Sequence, residues 1–201
     1  MKIAALIIGI GGWDNYTRPL IESIIEHEPN TQLIVIDNGS LNRYPPLECV
    51  YRIDRCCYSK AINIAHDWVE PDTDWFIVLS NDVVCTGSFS YTLEHCAPDS
   101  IFGPQLHREH GLDWIVGWCV AIPSSVWHTV GGWDEKFSVS SWEDVDYSQM
   151  ALENGFNLCH VPTFPFRHLD QKQRFTIVEH YWQSESHNRS YFMRKHGLQH
   201  A

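Results

Sequence analysis

The chain has 201 residues, of which 44% are hydrophobic and 13% aromatic, which is enough for one globular domain with a packed core. Its formal net charge of −11 counts against general nucleic-acid binding, which depends on Lys and Arg clusters, and suits the binding of a divalent cation. The seven cysteines form no CxxC pair and are odd in number, which argues against a zinc site and against a disulfide framework.

The first half of the chain alternates strand and helix patterns. The nearly continuous apolar run 3–10 predicts a strand covered on both faces. This run is too short to span a membrane and is not followed by a signal-peptide cleavage site, so we expect a cytoplasmic protein. The following predicted elements are helix 17–27, strand 32–36, strand 50–53, helix 59–69 and strand 75–79. The alternation predicts an α/β fold with a mostly parallel, Rossmann-like sheet whose ligands bind beyond the carboxyl ends of the strands.

The second half of the chain is less regular. Gly131 and Gly132 interrupt one helical pattern, and Gly155 follows the end of another. The segment 171–196 contains helical pieces rich in basic and aromatic residues, which fit a lid or a dimer contact. The remaining predicted elements are helix 87–97, strand 101–106, strand 114–122, helix 124–130, loop 137–141, helix 143–154 and strand 156–161.

A glycine loop and an acidic residue follow the first two predicted strands. Gly9, Gly11 and Gly12 resemble part of a dinucleotide-binding fingerprint, but Asp14 stands where its third glycine belongs. The loop with Asp37 can still hold a nucleoside, because a carboxylate accepts hydrogen bonds from ribose or from a base N–H. Asp37 also opens an Asp-Asn-Gly-Ser sequence that forms a turn without any ligand, and both interpretations stay open.

Two acidic sites follow in the chain. Asp82 comes directly after the strand 75–79, where its carboxylate can hold Mg²⁺ or Mn²⁺ beside a diphosphate; an Asx turn is the alternative. Glu143, Asp144 and Asp146 crowd three carboxylates into four positions, which favours a chemical role, although acids are also common at a helix start. We expect Asp146 to cap or solvate the first turn of that helix.

Five ordered segments together resemble one known family. They are Ile34–Ser40, Leu79–Val83, Gly117–Ile122, Gly131–Glu135 and Glu143–Asp146. In this order and at these separations they resemble the family 2 glycosyltransferases with the GT-A fold, over about residues 3–168. The resemblance implies transfer of a sugar from a nucleotide-diphosphate sugar with inversion at the anomeric carbon.

The resemblance assigns donor and metal roles to several residues. Asp82 matches the last carboxylate of the DxD motif and is implied to bind Mn²⁺ or Mg²⁺, although Ser80 replaces the first carboxylate. His168 stands where members place a histidine that reaches the metal or diphosphate, and the neighbouring Arg167 can also meet phosphate. Asp37 is implied to contact the nucleoside. The other expected donor contacts are Gly11, Asn63 and Asn81, with Ile62 in place of an arginine found in some members.

The resemblance also assigns the catalytic and acceptor roles. Asp144 matches the general base, and Glu143 beside it is implied to support the base or bind the acceptor. We expect Trp118, Trp133 and Trp142 to stack on acceptor sugars, with core packing as the alternative for each. A single GT-A domain 1–201 would then hold a nucleotide-sugar half at about 1–85, an acceptor and catalytic half at about 100–170 and a C-terminal helical segment at about 171–201.

The acceptor and the partners stay open at the sequence level. A saccharide is the common acceptor in this family, and a protein, a small molecule or a hydroxylated DNA base are alternatives, the last supported by basic residues such as Arg189 and Lys195. The C-terminal segment leaves a homodimer open. A non-catalytic nucleotide- or sugar-binding protein of the same fold is the alternative function, because the metal motif keeps one carboxylate.

Overall fold

A computed structural model describes residues 1–169 and 181–198 of the chain, and the side chains of residues 181–183 lie outside the described part. The strands in these ranges are β1 Ile3–Gly9, β2 Gln32–Asn38, β3 Val50–Ile53, β4 Trp75–Ser80, β5 Val83–Cys85, β6 Ser100–Gly103, β7 Leu106–Glu109, β8 Leu112–Ile115, β9 Cys119–Pro123, β10 Asn157–His160 and β11 Phe166–His168. The helices are α1 Arg18–His27, α2 Tyr58–His66, α3 Ser90–His95, α4 Ser124–Val130, α5 Glu143–Glu153 and α6 Tyr181–Lys195, with a π-helical turn at Trp13–Thr17.

The predicted sheet is confirmed and has seven strands in the order β10-β6-β9-β4-β1-β2-β3. The pairs β1·β2, β1·β4, β2·β3 and β6·β10 are parallel, whereas β9 runs antiparallel to both β4 and β6. The register pairs Ile8 with Ser80 and Gly9 with Asp37, so the ends of three neighbouring strands meet at one edge. This edge is where ligands bind in open α/β sheets.

Hydrophobic layers cover both faces of the sheet. Alternate residues of β1 point to opposite faces, as the pleat requires, so Ala5 and Ile7 belong to one layer and Ala4 and Leu6 to the other. The first layer contains Leu20 and Ile24 of α1. The second contains residues of α2, α4 and α5, and this packing fixes the helix that begins with Glu143 against the sheet.

The structure corrects one predicted strand and adds short strands. The predicted strand 114–122 is two strands, because β8 pairs with β7 in a small hairpin while β9 enters the main sheet. Val116–Trp118 forms the connection between them. The strands β5 and β11, three residues each, pair with one another in a separate antiparallel sheet.

The C-terminal segment is only partly within the described residues. Its helical pieces are confirmed where α6 runs over Tyr181–Lys195, and the remainder of the predicted segment 171–180 and 199–201 lies outside the described residues. Within residues 1–169 and 181–198, no helix is both long enough and apolar enough to cross a bilayer.

Candidate active site

A cavity of about 830 Å³ opens at the carboxyl ends of the central strands. Its walls come from β1, β4, the β7–β8 hairpin, the β8–β9 connection, the start of α5 and one side of α6. The predicted site residues that line it are Asn81, Asp82, Trp118, Trp142, Glu143, Asp144 and His168. The predicted site residues that lie outside its lining are Gly11, Asp37, Asn63 and Trp133.

Asp82 and His168 form the centre of one side of the cavity. The antiparallel pairing of β5 and β11 places His168 opposite Val83, the residue after Asp82. The Nε2 atom of His168 lies 3.2 Å from Oδ1 of Asp82, and the hydroxyl of Ser80 donates to the same oxygen at 2.6 Å. Burial alone would raise the pKa of Asp82, but the hydrogen bonds from His168 and Ser80 outweigh burial and lower it, so the carboxylate is anionic at neutral pH.

The Asp82–His168 pair fits the divalent cation that the GT-A fold implies. Two neighbouring ligands of an octahedral Mg²⁺ with bonds of about 2.1 Å lie about 3 Å apart, close to the separation of Nε2 and Oδ1. The described residues contain no group of three or more His, Cys, Asp or Glu arranged for a metal. Asp82 and His168 would therefore hold such an ion together with oxygens of a diphosphate and water.

Asp144 lies at the start of α5, on another wall of the cavity. Its Oδ2 accepts a hydrogen bond from the backbone N–H of Gly117 at 2.8 Å, and its Oδ1 accepts one from the N–H of Val145 at 2.9 Å. A side chain at position 117 would meet Asp144 directly, because a Cβ there would lie 3.0 Å from the Asp144 Cβ. The absence of a side chain at Gly117 thus permits the close approach that holds the carboxylate.

The β8–β9 connection links the two acidic sites. Gly117 bonds to Asp144, and the next residue, Trp118, accepts a hydrogen bond from the N–H of Ser80 at 3.1 Å through its carbonyl oxygen. The indole of Trp118 stacks on the His168 ring with centroids 5.2 Å apart, and its N–H donates to Gln105 at 2.7 Å. A shift of this connection would therefore move both the Asp82–His168 pair and Asp144.

Glu143 and Trp142 surround the candidate base. Glu143 is 6% exposed and accepts a hydrogen bond from the Ser140 hydroxyl at 3.3 Å. Trp142 has a left-handed backbone (φ 72°), packs against Phe192 and directs its indole N–H to Glu185 at 3.4 Å. Both Glu143 and Trp142 line the cavity, and their catalytic and acceptor roles stay predictions.

Asp37 is held by internal partners, and its predicted contact with a nucleoside stays a prediction. Its side chain is 1% exposed and pairs with Arg52 at 2.7 Å. The N–H groups of Ser40 and Tyr44 donate to its two oxygens at 3.0 and 3.2 Å. Internal partners thus satisfy the carboxylate, and the turn interpretation describes it. The neighbouring Asn38 lines the cavity instead.

Gly11 and Asn81 belong to a buried polar network beneath the glycine loop. The amide N–H of Gly11 donates to the Ser40 hydroxyl at 2.7 Å, so it is not directed at a ligand. The Asn81 amide donates to the Gly11 carbonyl at 3.0 Å and also contacts Thr17 and Tyr44. Burial raises the pKa of Tyr44 to about 12. Gly11 therefore belongs to this network and lies outside the cavity lining, whereas Asn81 takes part in the network and also lines the cavity.

Asn63 and Trp133 make internal contacts outside the cavity lining, and their predicted donor and acceptor roles stay predictions. The side-chain amide of Asn63 donates to the Trp133 carbonyl at 2.9 Å and to Glu135 at 3.0 Å. Its oxygen accepts a hydrogen bond from the Trp133 N–H at 2.9 Å. Trp133 is 2% exposed and stacks on Tyr147 with centroids 4.9 Å apart. The core-packing alternative thus applies to Trp133, and Asn63 holds the turn that carries it.

Asp146 is buried rather than solvated, contrary to expectation. Its side chain is 1% exposed and pairs with Lys195 at 2.8 Å and with His196 at 2.8 Å. Lys195 also pairs with Asp134 at 2.9 Å. Asp146 therefore attaches the C-terminal end of α6 to the helix that carries Asp144.

The structure adds cavity residues that the sequence analysis did not identify. Tyr58 donates to the Gly117 carbonyl at 3.4 Å, and Gln105 holds the indole of Trp118. Along α6 the cavity-lining residues are Glu185, Arg189 and Met193, spaced by four so that they share one helix face. That spacing is visible in the sequence, but the sequence alone does not show that this helix packs beside Asp144.

Comparisons with known proteins identify the fold. No protein-family model matches the sequence, and no curated protein matches it significantly. The solved structures it resembles include the catalytic domain of Drosophila β1,4-galactosyltransferase 7 in complex with xylobiose, with 13% identity and a TM-score of 0.63 over 94% of this chain and 80% of that one. The chain therefore has the GT-A glycosyltransferase fold, as predicted.

Two further structures share this fold at similar sequence distance. GalNAc-T7 with UDP, GalNAc and Mn²⁺ has 14% identity and a TM-score of 0.72 over 96% of this chain, which spans 50% of that one. The mannosyltransferase PcManGT from Pyrobaculum calidifontis, in complex with GDP-Man and Mn²⁺, has 10% identity and a TM-score of 0.70 over the whole of this chain and 65% of that one. The shared part is thus the GT-A core.

Proposed function

We propose that the protein is an inverting glycosyltransferase that moves a sugar from a nucleotide-diphosphate sugar to an acceptor hydroxyl. The observation that carries this proposal is the placement of Asp144 and the Asp82–His168 pair in one cavity, at the carboxyl ends of the strands of a GT-A fold. The nucleotide sugars and Mn²⁺ bound by solved proteins of this fold support it. The resemblance to family 2 glycosyltransferases supports the inverting outcome.

Asp144 acts as the general base in this proposal. It takes the proton of the acceptor hydroxyl while that oxygen bonds to the anomeric carbon and the bond from this carbon to the diphosphate oxygen breaks. The N–H groups of Gly117 and Val145 hold the carboxylate in one orientation without supplying a side chain that competes with the acceptor. Glu143 beside it orients the acceptor.

Asp82 and His168 act on the donor side. They would hold a Mn²⁺ or Mg²⁺ ion, which when bound offsets the negative charge of the departing diphosphate. Ser80 and Trp118 keep the pair in place, the first by its hydrogen bond to Asp82 and the second by stacking on His168. Asn38 and Arg55, which line the same cavity, are candidates for contacts with the nucleotide.

The acceptor side is the part of the cavity around Asp144, Trp142 and Trp118. Indole surfaces suit the apolar faces of sugars, so we propose a saccharide as the acceptor. Trp142 is partly exposed, whereas Trp118 is buried with 8% of its surface exposed. The cytoplasmic location, the homodimer and the division of the domain into donor and acceptor halves stay predictions.

A non-catalytic nucleotide- or sugar-binding protein is the second candidate. One observation favours it: the metal motif supplies one carboxylate, Asp82, with Ser80 at the position of the other. Turnover separates the two candidates. The second candidate expects donor binding without any release of nucleotide diphosphate, whether an acceptor is present or not.

The first experiment is a thermal-shift screen of nucleotide diphosphates and their sugars with and without Mn²⁺, starting with uridine and guanosine compounds. A ligand that binds the native state raises the melting temperature. The proposal expects a metal-dependent rise for one nucleotide, and release of that nucleotide from its sugar on incubation. A complete screen with no metal-dependent rise would contradict it.

A further inference from the structure

We propose that Asn188 of α6 is a positioning residue for the active site: its carboxamide holds the loop 138–142 and thereby sets the position of Asp144. This inference rests on the proposed function only for its catalytic consequence. The structural part, that Asn188 fixes the loop, is testable without any activity.

The Asn188 side chain is fully buried, and its hydrogen bonds within the described part of the chain all go to one loop. Its Oδ1 accepts from the N–H of Ser138 at 2.8 Å, and its Nδ2 donates to the carbonyl of the same residue at 2.8 Å. The Nδ2 group also donates to the carbonyls of Ser141 at 2.8 Å and Ser140 at 3.4 Å. One carboxamide thus satisfies backbone groups at both ends of the loop.

Three residues of this loop have a backbone conformation that residues other than glycine rarely adopt. Val139, Ser141 and Trp142 have φ values of 56°, 96° and 72°. Positive φ is unfavourable for residues other than glycine, above all for a β-branched residue such as Val139, and persists where surrounding contacts enforce it. Asn188 donates to the carbonyls before and after Val139 and to the carbonyl of Ser141, and these hydrogen bonds supply such contacts.

The loop leads directly into the candidate base. The carbonyl of Trp142 accepts the hydrogen bond from the N–H of Asp146 at 2.9 Å, which opens α5, and Glu143 and Asp144 follow Trp142. The Val139 carbonyl accepts a hydrogen bond from the N–H of Tyr58 at 2.8 Å at the start of α2. A change in the loop therefore rotates or shifts the first turn of α5 relative to Gly117.

Two further contacts of α6 reach the loop through its last residue, Trp142, which packs against Phe192 and donates to Glu185, whereas those of Tyr191 and Lys195 lie outside it. Tyr191 donates its hydroxyl to Asp134 at 2.8 Å, and Lys195 pairs with Asp134 and Asp146. These contacts attach the helix to the body of the protein at its other end. They provide a matched control, because Tyr191→Phe removes one hydrogen bond of α6 without touching the residues that Asn188 holds.

The test compares Asn188→Asp with Tyr191→Phe in the full chain. Aspartate keeps the shape and the acceptor for Ser138 but, when ionised, cannot donate to the three carbonyls. We expect Asn188→Asp to lower kcat for transfer by at least about tenfold, since a misplaced catalytic group costs up to about a hundredfold. The affinity for nucleotide diphosphate with Mn²⁺ should stay within about twofold, because the Asp82 side is untouched, and that affinity also reports the folded fraction. Tyr191→Phe should leave kcat unchanged.

Hydrogen exchange over residues 138–146 supplies the readout that does not depend on activity. Asn188→Asp should accelerate exchange in this segment, and Tyr191→Phe should not. If Asn188→Asp does not fold, Asn188→Ser replaces it, because serine keeps one hydroxyl donor. This variant should also accelerate exchange over residues 138–146, by a smaller factor. Wild-type exchange in this segment, or unchanged kcat in a folded Asn188→Asp variant of an active enzyme, would overturn the inference. Absence of transfer by the wild-type protein contradicts the proposed function instead and leaves the exchange result to decide the role of Asn188.

Discussion

The backbone N–H of Gly117 donates to the carboxylate of Asp144 at 2.8 Å, across 27 positions of sequence. The bond joins the connection after β8 to the first turn of α5. The same connection accepts a hydrogen bond from Ser80, two residues before Asp82. The geometry of the candidate base is therefore coupled to the Asp82 side of the cavity through three consecutive residues, Val116–Trp118.

Gly117→Ala should lower transfer activity, because the added Cβ would lie 3.0 Å from the Asp144 Cβ and 3.2 Å from its Oδ2. Asp144 or the connection must shift, and a displacement of about 1 Å can cost up to about a hundredfold in rate. Steady-state kinetics measure the effect on kcat. Gly87→Ala is the matched control, since its Cβ would lie 3.6 Å from Pro165, an ordinary contact. Equal kcat values for the two variants would show that the close approach does not matter.

Asp82→Ala and His168→Ala should each weaken nucleotide-diphosphate binding in the presence of Mn²⁺, by at least about tenfold, because each removes one of the two protein ligands. Without metal the affinities should match that of the wild type. Isothermal calorimetry with and without a chelator makes the comparison. His95→Ala, on the exposed face of α3 and outside the cavity lining, serves as the control. A metal-dependent affinity that survives both substitutions would place the ion elsewhere.

Lys195→Met should destabilise the protein by about 1–3 kcal/mol, because it leaves the buried Asp146 with one cationic partner fewer. Lys2 also contacts two carboxylates, Glu70 and Asp72, but these side chains are more than half exposed. Lys2→Met should therefore cost much less, because water screens an exposed ion pair. Urea unfolding of both variants measures the difference. Equal losses would argue that the attachment of α6 is no stronger than a surface ion pair.

The loss of stability in Lys195→Met should depend on pH, because two pKa values are shifted in the folded protein. Burial opposes the charge on Lys195, but Asp146 and Asp134 outweigh it and raise the Lys195 pKa above 10.5. Burial likewise opposes the charge on Asp134, but the Lys136 N–H, Lys195 and Tyr191 outweigh it and lower the Asp134 pKa below 3.8. A cationic group whose pKa is raised on folding stabilises the folded state fully at pH values below its unfolded-state pKa. A carboxyl group whose pKa is lowered on folding does so at pH values above its unfolded-state pKa.

The stability difference between wild type and Lys195→Met should thus be constant between about pH 5 and 9. It should shrink as the pH rises through the raised Lys195 pKa and as the pH falls through the lowered Asp134 pKa. Unfolding free energies at a series of pH values check this. A difference that is equally large at pH 2 and pH 7 would contradict the ion-pair account.

The fold was predictable because its central strands carry continuous apolar runs separated by helical patterns. The sequence could not separate β8 from β9, since residues 114–122 form an almost continuous apolar run and its division depends on pairing with different partners. The three-residue strands β5 and β11 are too short to show a period, yet their pairing brings His168 to Asp82.

The site was predictable where a residue follows a strand or opens a helix, as Asp82 and Asp144 do. Asp37 shows what local patterns leave out. The register of β2 and β3 places Arg52 beside it, and that cross-strand partner occupies the carboxylate that the sequence offers to a nucleoside. Trp133 and Asn188 likewise depend on partners far along the chain, which local patterns do not reveal.

The most direct test of the account is transfer by Asp144→Asn, measured with the donor that the thermal-shift screen identifies. The amide keeps the shape of the side chain but cannot take the acceptor proton at neutral pH. If Asp144 is the general base, kcat should fall by at least about a hundredfold, while the affinity for the nucleotide diphosphate with Mn²⁺ stays unchanged. Transfer at the wild-type rate by a folded Asp144→Asn protein would contradict it.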